Sequence, residues 1–285
     1  MIRYNPKEWF GLIFKLHKSD ALISSFKTLL LFALYTLIIV YLEIHYTDFK
    51  STIEIHSLLG FVIGLLLVFR TNTAYERWWE GRRQWGKLIN VSRNLALKVN
   101  SMLINKEDKK FYCNMISNYA YSVRNHLRYN KDTENIIFFN DFEINEINDI
   151  QHIPNKISGI VYKKTNELYK ENKISGYQLI IIEDEIKELS NVLGSCERIR
   201  NTPIPYSYNM FLKTFIFMYT ITMPFGLVYD YNYWSIPIAT FILYVFSSLE
   251  LLAEEIEDPF GNDANDLPLD NLCNQIKENM NEILS

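Results

Sequence analysis

Apolar positions along this chain gather into four long blocks around a polar middle. The first runs from Phe26 to Ile44, interrupted only by Lys27, Glu43 and small hydroxyls, and has the length needed to cross a hydrocarbon core of about 30 Å. The second, Ser57 to Phe69, is shorter than a usual span and by length alone fits a buried core helix. The third, Phe211 to Tyr229, carries Lys213 and Pro224, and the fourth, Trp234 to Leu252, carries Pro237 and Glu250. About 140 mostly polar residues separate the second block from the third. Two hairpins around such an insert make an even number of spans and put both termini on one side.

No turn signal separates Phe69 from the run Arg70-Thr-Asn-Thr-Ala-Tyr-Glu-Arg-Trp-Trp-Glu-Gly-Arg-Arg-Gln-Trp-Gly86. One helix is therefore expected to leave an apolar environment and enter one crowded with Arg, Glu and Trp. Beyond it, residues 85–104 and 111–129 place apolar side chains at three- and four-residue spacing, as helices do. Residues 131–152 are Asn-, Asp- and Ile-rich and read as loop or short helix. Ser175-Gly176 opens another periodic stretch, 177–196, and Pro203 and Pro205 mark a re-entry turn. The expected fold class is an all-α membrane protein, with four transmembrane helices in two hairpins and a helical cytosolic insert. Its expected divisions are a terminal segment 1–25, a hairpin 26–70, a helical region 71–205, a hairpin 206–252 and an acidic strap 253–285.

Charge supplies the orientation. Arg3, Lys7, Lys15, Lys18 and Lys27 precede or open the first span, Arg70, Arg77, Arg82, Arg83 and Lys87 follow the second, and Arg198 and Arg200 precede the third. The intervening loops offer Lys50 against Glu43, Asp48 and Glu54, and then Asp230 alone. Lys and Arg mark the cytoplasmic side, so the expectation is a multi-pass protein of the inner (plasma) membrane with both termini cytoplasmic. Tyr41, Tyr46, Tyr229, Tyr231, Tyr233 and Trp234 would form an aromatic belt at the outer interface. No apolar h-region with a small-residue cleavage site opens the chain, so no cleaved signal peptide is expected.

Composition narrows the function. The chain is 48% hydrophobic yet 22% charged, a mixture of segregated blocks, and its formal charge of −4 argues against nucleic acid as a partner. Cys113, Cys196 and Cys273 lack metal-ligand spacing and are read as reduced thiols. The five histidines, His17, His45, His56, His126 and His152, are scattered, and His45 and His56, near neighbours across the outer loop, read as ordinary loop residues. No nucleophile, cofactor or metal motif emerges, so neither an enzyme nor a metal site is expected.

Two constellations stand out. Phe61, Leu65 and Phe69 share one helical face beside Gly60 and Gly64. That face is either a lipid-facing or core stripe, or the lining of a pore, where rings of apolar side chains form a water-repelling constriction. A pore-lining helix touches lipid little, which would explain the short block. Trp78, Trp79 and Trp85 are read as interface anchors, with Arg77, Glu80 and Arg83 paired along the helix. The carboxylates after Leu252 read as a solvated segment or a strap pairing with the Arg-rich helix, and lack the spacing of a calcium loop.

Phe69-Arg70, Tyr75-Glu76-Arg77-Trp78-Trp79-Glu80-Gly81-Arg82 and Trp85-Gly86, together with Asp258-Pro259-Phe260-Gly261-Asn262-Asp263 and Asn265-Asp266-Leu267-Pro268-Leu269-Asp270, resemble the bestrophin family in its bacterial branch. The resemblance covers nearly the whole chain. It implies a homopentameric ion channel around a five-fold pore, with the lipid bilayer, further copies of the chain and small monovalent ions as partners. It also implies a neck of Phe61, Leu65 and Phe69 and a cytosolic aperture at Ile180, counted back from Cys196, with Ile181 and Ile182 following directly. The calcium-binding acidic run of eukaryotic members is replaced here by Asn262-Asp263-Ala264-Asn265-Asp266, so that site is not carried over. The acidic balance of the chain leans towards cations (sodium or potassium), with a chloride channel of the same architecture as the alternative. A transporter lacks support, since no inverted repeat or midplane ion pair is found; a non-conducting membrane scaffold is the remaining rival.

Overall fold

The second apolar block is not a short helix at all. In the computed structural model, which describes residues 20–46, 53–129 and 151–285, it forms the beginning of α2, Ile53–Met102, a single helix of 50 residues. At 1.5 Å per residue such a helix is about 75 Å long. Every regular element among the described residues is helical. The first block lies in α1 (Asp20–Tyr46), and the third and fourth lie in α6 (Tyr206–Tyr231) and α7 (Ser235–Glu257), joined by a single 3-10 turn at Asn232–Trp234. Three stretches among the described residues hold helices long and apolar enough to cross a membrane: Ser25–Tyr46, Glu54–Met102 and Gly176–Glu257, the last containing both α6 and α7.

Between these lie α3 (Lys106–Leu127), α4 (Ile153–Lys170) and α5 (Gly176–Asn201), and the chain closes with α8 (Leu269–Leu284). The starts are locally encoded. Asn105 caps α3 by accepting the Glu107 N–H at 2.9 Å. Ser175 and Gln178 form a reciprocal capping box on α5, each side chain accepting the other's backbone N–H at 3.3 and 2.8 Å. Sequence periodicity had not separated α4 or α8. In α8, Leu269, Leu272, Cys273, Ile276, Met280 and Leu284 are all buried at three- and four-residue spacing, and Pro268 precedes the helix instead of breaking it.

Contacts divide the chain into two compact units. One combines the described residues up to Arg77 with Pro203–Glu257. Its core sets Ile63 and Leu67 of α2 against Leu212, Ile216, Tyr219, Met223 and Leu227 of α6 and Ala239 of α7. In this unit α1 packs on α7 and α6, and the Tyr35 hydroxyl donates to the Ile221 carbonyl at 2.9 Å. Hydroxyls within its apolar helices bond their own backbone, as Thr36 does to Phe32 and Thr240 to Ile236, so they cost little in hydrocarbon. Large apolar side chains such as Leu30, Leu31, Leu34, Phe217 and Phe241 point outward, the reverse of a water-facing surface.

The other unit, Trp78–Thr202 with Asp258–Ser285, has a conventional buried core. There Trp85, Leu88, Leu95 and Val99 of α2 meet Ile116 and Tyr119 of α3, Ile182, Ile186 and Leu189 of α5, and Ile276 of α8. Helix α3 packs on α8, α4 and α5. Two sequence motifs far apart in the chain meet in this unit. A Cβ on Gly81 would lie 3.1 Å from Pro259 Cγ and 3.2 Å from the Phe260 ring, and that ring is fully buried. Gly81→Val should therefore lower the thermal unfolding midpoint of the purified protein by roughly 2–10 °C, the scale of an overpacked core. A midpoint unchanged in a thermal melt would show that this contact is slack.

Candidate pore-lining residues and their supports

Residues two apart on a helix lie about 200° apart around its axis. On α2 this separates Ile63 and Leu67, which are buried in the core, from Phe61, Leu65 and Phe69, which are 70%, 47% and 55% exposed. The structure thus keeps the three predicted neck residues on one free face while the opposite stripe holds the helix to α6. The two glycines differ in role. A Cβ on Gly60 would stand 2.7 Å from the Tyr219 hydroxyl, whereas nothing approaches Gly64 within 4 Å.

Ile180 and its two neighbours are distinguished by burial. Ile180 is 65% exposed and Ile181 41%, but Ile182 is wholly buried in the core. Ile182 is thereby excluded as an aperture residue. Helix α5 is tied to α2 within its unit by Lys98 to Glu185 and Lys87 to Glu188, each at 2.5 Å.

The tryptophans part company. Trp79 is 48% exposed, Trp78 is half-buried and donates its indole N–H to the Asn265 carbonyl at 3.0 Å, and Trp85 is fully buried. Trp85 therefore does not anchor a membrane interface. It is a core residue, because the apolar side chains of α2, α3 and α5 close over it. Glu80 pairs with Arg83 and accepts from Gln84 at 2.6 Å, while Arg77 donates Nε–H to the Glu257 carbonyl at 3.2 Å.

Directly after Phe69 sits a charge that the apolar unit closes around. Arg70 is 1% exposed; it donates to Glu257 Oε2 at 2.7 Å and faces Glu250 at 3.8 Å. Glu257 uses its other oxygen to accept the Ile204 N–H at 2.8 Å. One carboxylate thus holds the end of the neck stripe, the end of α7 and the entry to α6.

Within the acidic strap, Glu257 pairs with Arg70 of α2 and Glu254 with Lys213 of α6, whereas Asp270 turns to the end of α3. Asp270 pairs with Arg124 at 2.6 Å and Arg128 at 3.0 Å, and Arg128 also donates to the carbonyls of Phe260 and Gly261. These arginines hold the Asp270 carboxyl below its ordinary range despite partial burial. The expectation that the Arg-rich helix would supply these partners is therefore corrected for Asp270. A polar cleft of about 220 Å³ lies here, lined by Arg128, Asp263, Asp266 and Asp270 among others. Asp266 Oδ2 accepts the Asp263 N–H at 2.6 Å while its Oδ1 is buried without a hydrogen bond. Burial, with Asp263 and Asp258 nearby, pushes its carboxyl up to about 6.

Of the histidines, His17 lies outside the described residues. His45 bonds the Tyr41 carbonyl of its own helix at 3.0 Å, and His56 packs its ring near Tyr219 and against Gly226. His45 and His56 therefore lie in α1 and α2, not in a loop as the sequence suggests. His126 lies in the last turn of α3, His152 caps α4, and both meet Glu197 of α5. No linear spacing announces this trio, which is assembled from three helices. Burial pushes the Cys196 and Cys273 thiols up to about 12, so they stay protonated and unreactive.

Apolar helices with an outward hydrophobic face, around a long helix that carries an exposed apolar stripe and a buried arginine, define an all-α membrane protein. A family model described as bacterial/fungal bestrophin protein matches residues 1–282. A voltage-dependent anion channel-forming protein of Nostoc sp. is 32% identical over 287 residues, covering 98% of this chain and 92% of its own length. The voltage-dependent anion channel-forming protein YneE of Escherichia coli is 33% identical over 285 residues, covering 97% and 92%. A crystal structure of a bacterial bestrophin homolog from Klebsiella pneumoniae, a point mutant, matches with a TM-score of 0.84 at 29% identity, covering 92% of this chain and all of that one. The chain belongs to the bacterial/fungal bestrophin family, and is an ion channel rather than an enzyme.

Two supports can be tested by stability. Arg70→Ala leaves Glu257 buried without its cation and should cost about 3–5 kcal/mol, whereas Arg70→Met with Glu257→Gln should lie closer to wild type in a detergent thermal melt. Asp266 has a folded-state affinity for protons above its unfolded value, so its ionisation opposes folding above about pH 6 and the penalty fades as pH falls towards 4. Asp266→Asn should therefore raise the unfolding midpoint at pH 7.5 by about 2–4 °C and lose that advantage near pH 4. Melts at the two pH values read this directly.

Proposed function

We propose that five copies of this chain surround one pore, with Phe61, Leu65 and Phe69 as its neck and Ile180 as a second aperture, and that the pore conducts small monovalent anions. The observation that carries the pore is the exposed apolar stripe on α2, which faces away from the chain's own core along the shortest apolar block. Rings of such side chains limit flow by excluding water and carry no preference for the sign of the ion.

One consideration supports anions: relatives in Nostoc and Escherichia coli are named voltage-dependent anion channel-forming proteins. The cation reading rests on the formal charge of −4 and on an acidic outer loop, of which Asp48 and Lys50 lie outside the described residues. It remains the second reading. Orientation follows the Lys and Arg distribution: the termini and the helical unit lie in the cytoplasm, in the inner membrane, with Trp79 near the interface.

Reversal potentials from purified protein in bilayers, under asymmetric potassium chloride, separate the readings. A value near the chloride equilibrium supports anions; a value near potassium supports cations; absence of flux from liposomes supports a non-conducting scaffold. Phe61→Ala, Leu65→Ala and Phe69→Ala together should raise single-channel conductance at least about twofold. Unchanged currents would falsify the neck. Ile180→Ala should alter permeation with stability within about 0.5 kcal/mol of wild type, whereas Ile182→Ala should cost about 2–5 kcal/mol as a core truncation.

A further inference from the structure

The trio on α3, α4 and α5 has a chemistry that the pore does not use. The Nε2 atoms of His126 and His152 lie 2.7 and 2.9 Å from the same oxygen, Oε1 of Glu197. One potential ligand atom from each residue lies within 4.8 Å of the other two, and the imidazole rings are 4.5 Å apart. The three side chains are 23%, 32% and 27% exposed, accessible to a small ion yet held in place by packing. From this geometry we propose that His126, His152 and Glu197 form a binding site for a divalent transition-metal ion, with zinc the best match.

The donor set decides the class of ion. Two imidazole nitrogens and one carboxylate oxygen suit a borderline cation such as Zn²⁺, whereas Ca²⁺ and Mg²⁺ require mostly oxygen donors. Three protein ligands leave a fourth tetrahedral position for water. Bonds of about 2.0–2.1 Å in a tetrahedron separate ligand atoms by roughly 3.3 Å. The present spacings are hydrogen-bonded and shorter, so the ion enters by an opening of roughly half an ångström, within the reach of side-chain torsions.

Neighbouring side chains leave the site open. Arg200 is occupied elsewhere, donating to the His126 carbonyl at 2.6 Å and stacking on the Tyr129 ring. Cys196, adjacent in sequence to Glu197, is fully buried in the core and does not compete. There is one cost. His152 Nδ1 accepts the Asn155 N–H at 3.3 Å as the cap of α4, so a metal on Nε2 moves the ring proton to Nδ1 and releases that bond. Three metal bonds joining three helices outweigh one long cap bond.

The test uses the full-length protein, purified in detergent and stripped with chelator. Zn²⁺ calorimetry should give about one ion per chain, and Co²⁺ should give visible ligand-field bands with no thiolate charge-transfer band. Glu197→Gln, which keeps the shape of the side chain, and His126→Ala should each lower zinc affinity by at least about tenfold. X-ray absorption of the zinc-loaded wild type, which needs no variant to fold, should show two imidazoles per metal. Absence of saturable zinc binding, a thiolate band, fewer than two imidazoles, or wild-type affinity in Glu197→Gln overturns the site. None of these readouts involves ion flux, so their failure is distinct from failure of the channel reading.

Discussion

A guanidinium buried among apolar helices is the constraint on which the apolar unit depends. Arg70 follows Phe69, is almost wholly excluded from solvent, and carries a charge that low-dielectric surroundings penalise unless it is paired. Among the described residues it donates a hydrogen bond to Glu257, with Glu250 at ion-pair distance only. Because Glu257 also accepts the Ile204 N–H, the pair fixes three chain segments at one level. A purely apolar contact there would tolerate sliding along the helix axis. A buried charge pair does not, since a small displacement leaves two ions unsatisfied.

Below that level the physics changes. Arg77 is the last residue of the apolar unit, and from Trp78 onward α2 belongs to a unit whose core resembles that of a soluble bundle. The same helix therefore satisfies two opposite rules, apolar side chains outward in one part and apolar side chains inward in the other. Gly81 marks the second regime, where close approach of Pro259 and Phe260 leaves no room for a side chain.

Much of this was legible in the residues, and the failures have physical causes. The four apolar blocks, the unbroken passage through Arg70 and the start of α5 at Ser175 could be read from hydropathy, missing turn signals and capping chemistry, which are local. The free face of Phe61, Leu65 and Phe69 followed from helical spacing. Trp85 was misread because a tryptophan near a membrane junction and a tryptophan in a core look alike until its neighbours are known. Ile180, Ile181 and Ile182 are ambiguous in sequence, since three consecutive isoleucines carry no register of their own; packing of α5 buries Ile182 and leaves Ile180 and Ile181 exposed. The meeting of His126, His152 and Glu197 was invisible because it depends on how α3, α4 and α5 pack. Helix α8 is legible in the periodicity of its apolar residues, and Pro268 stands at its cap.

The continuity of α2 also makes it a dial. Each residue turns the helix by about 100°, so the direction in which Phe61, Leu65 and Phe69 point is locked in phase to that of Arg77 within the same unit. A single residue inserted or deleted between Phe69 and Arg77, in a stretch with no loop to absorb it, would rotate the apolar stripe by more than a quarter turn against the arginine that holds the Glu257 carbonyl. Point substitutions in that stretch change one side chain, but a change of length changes every bearing at once.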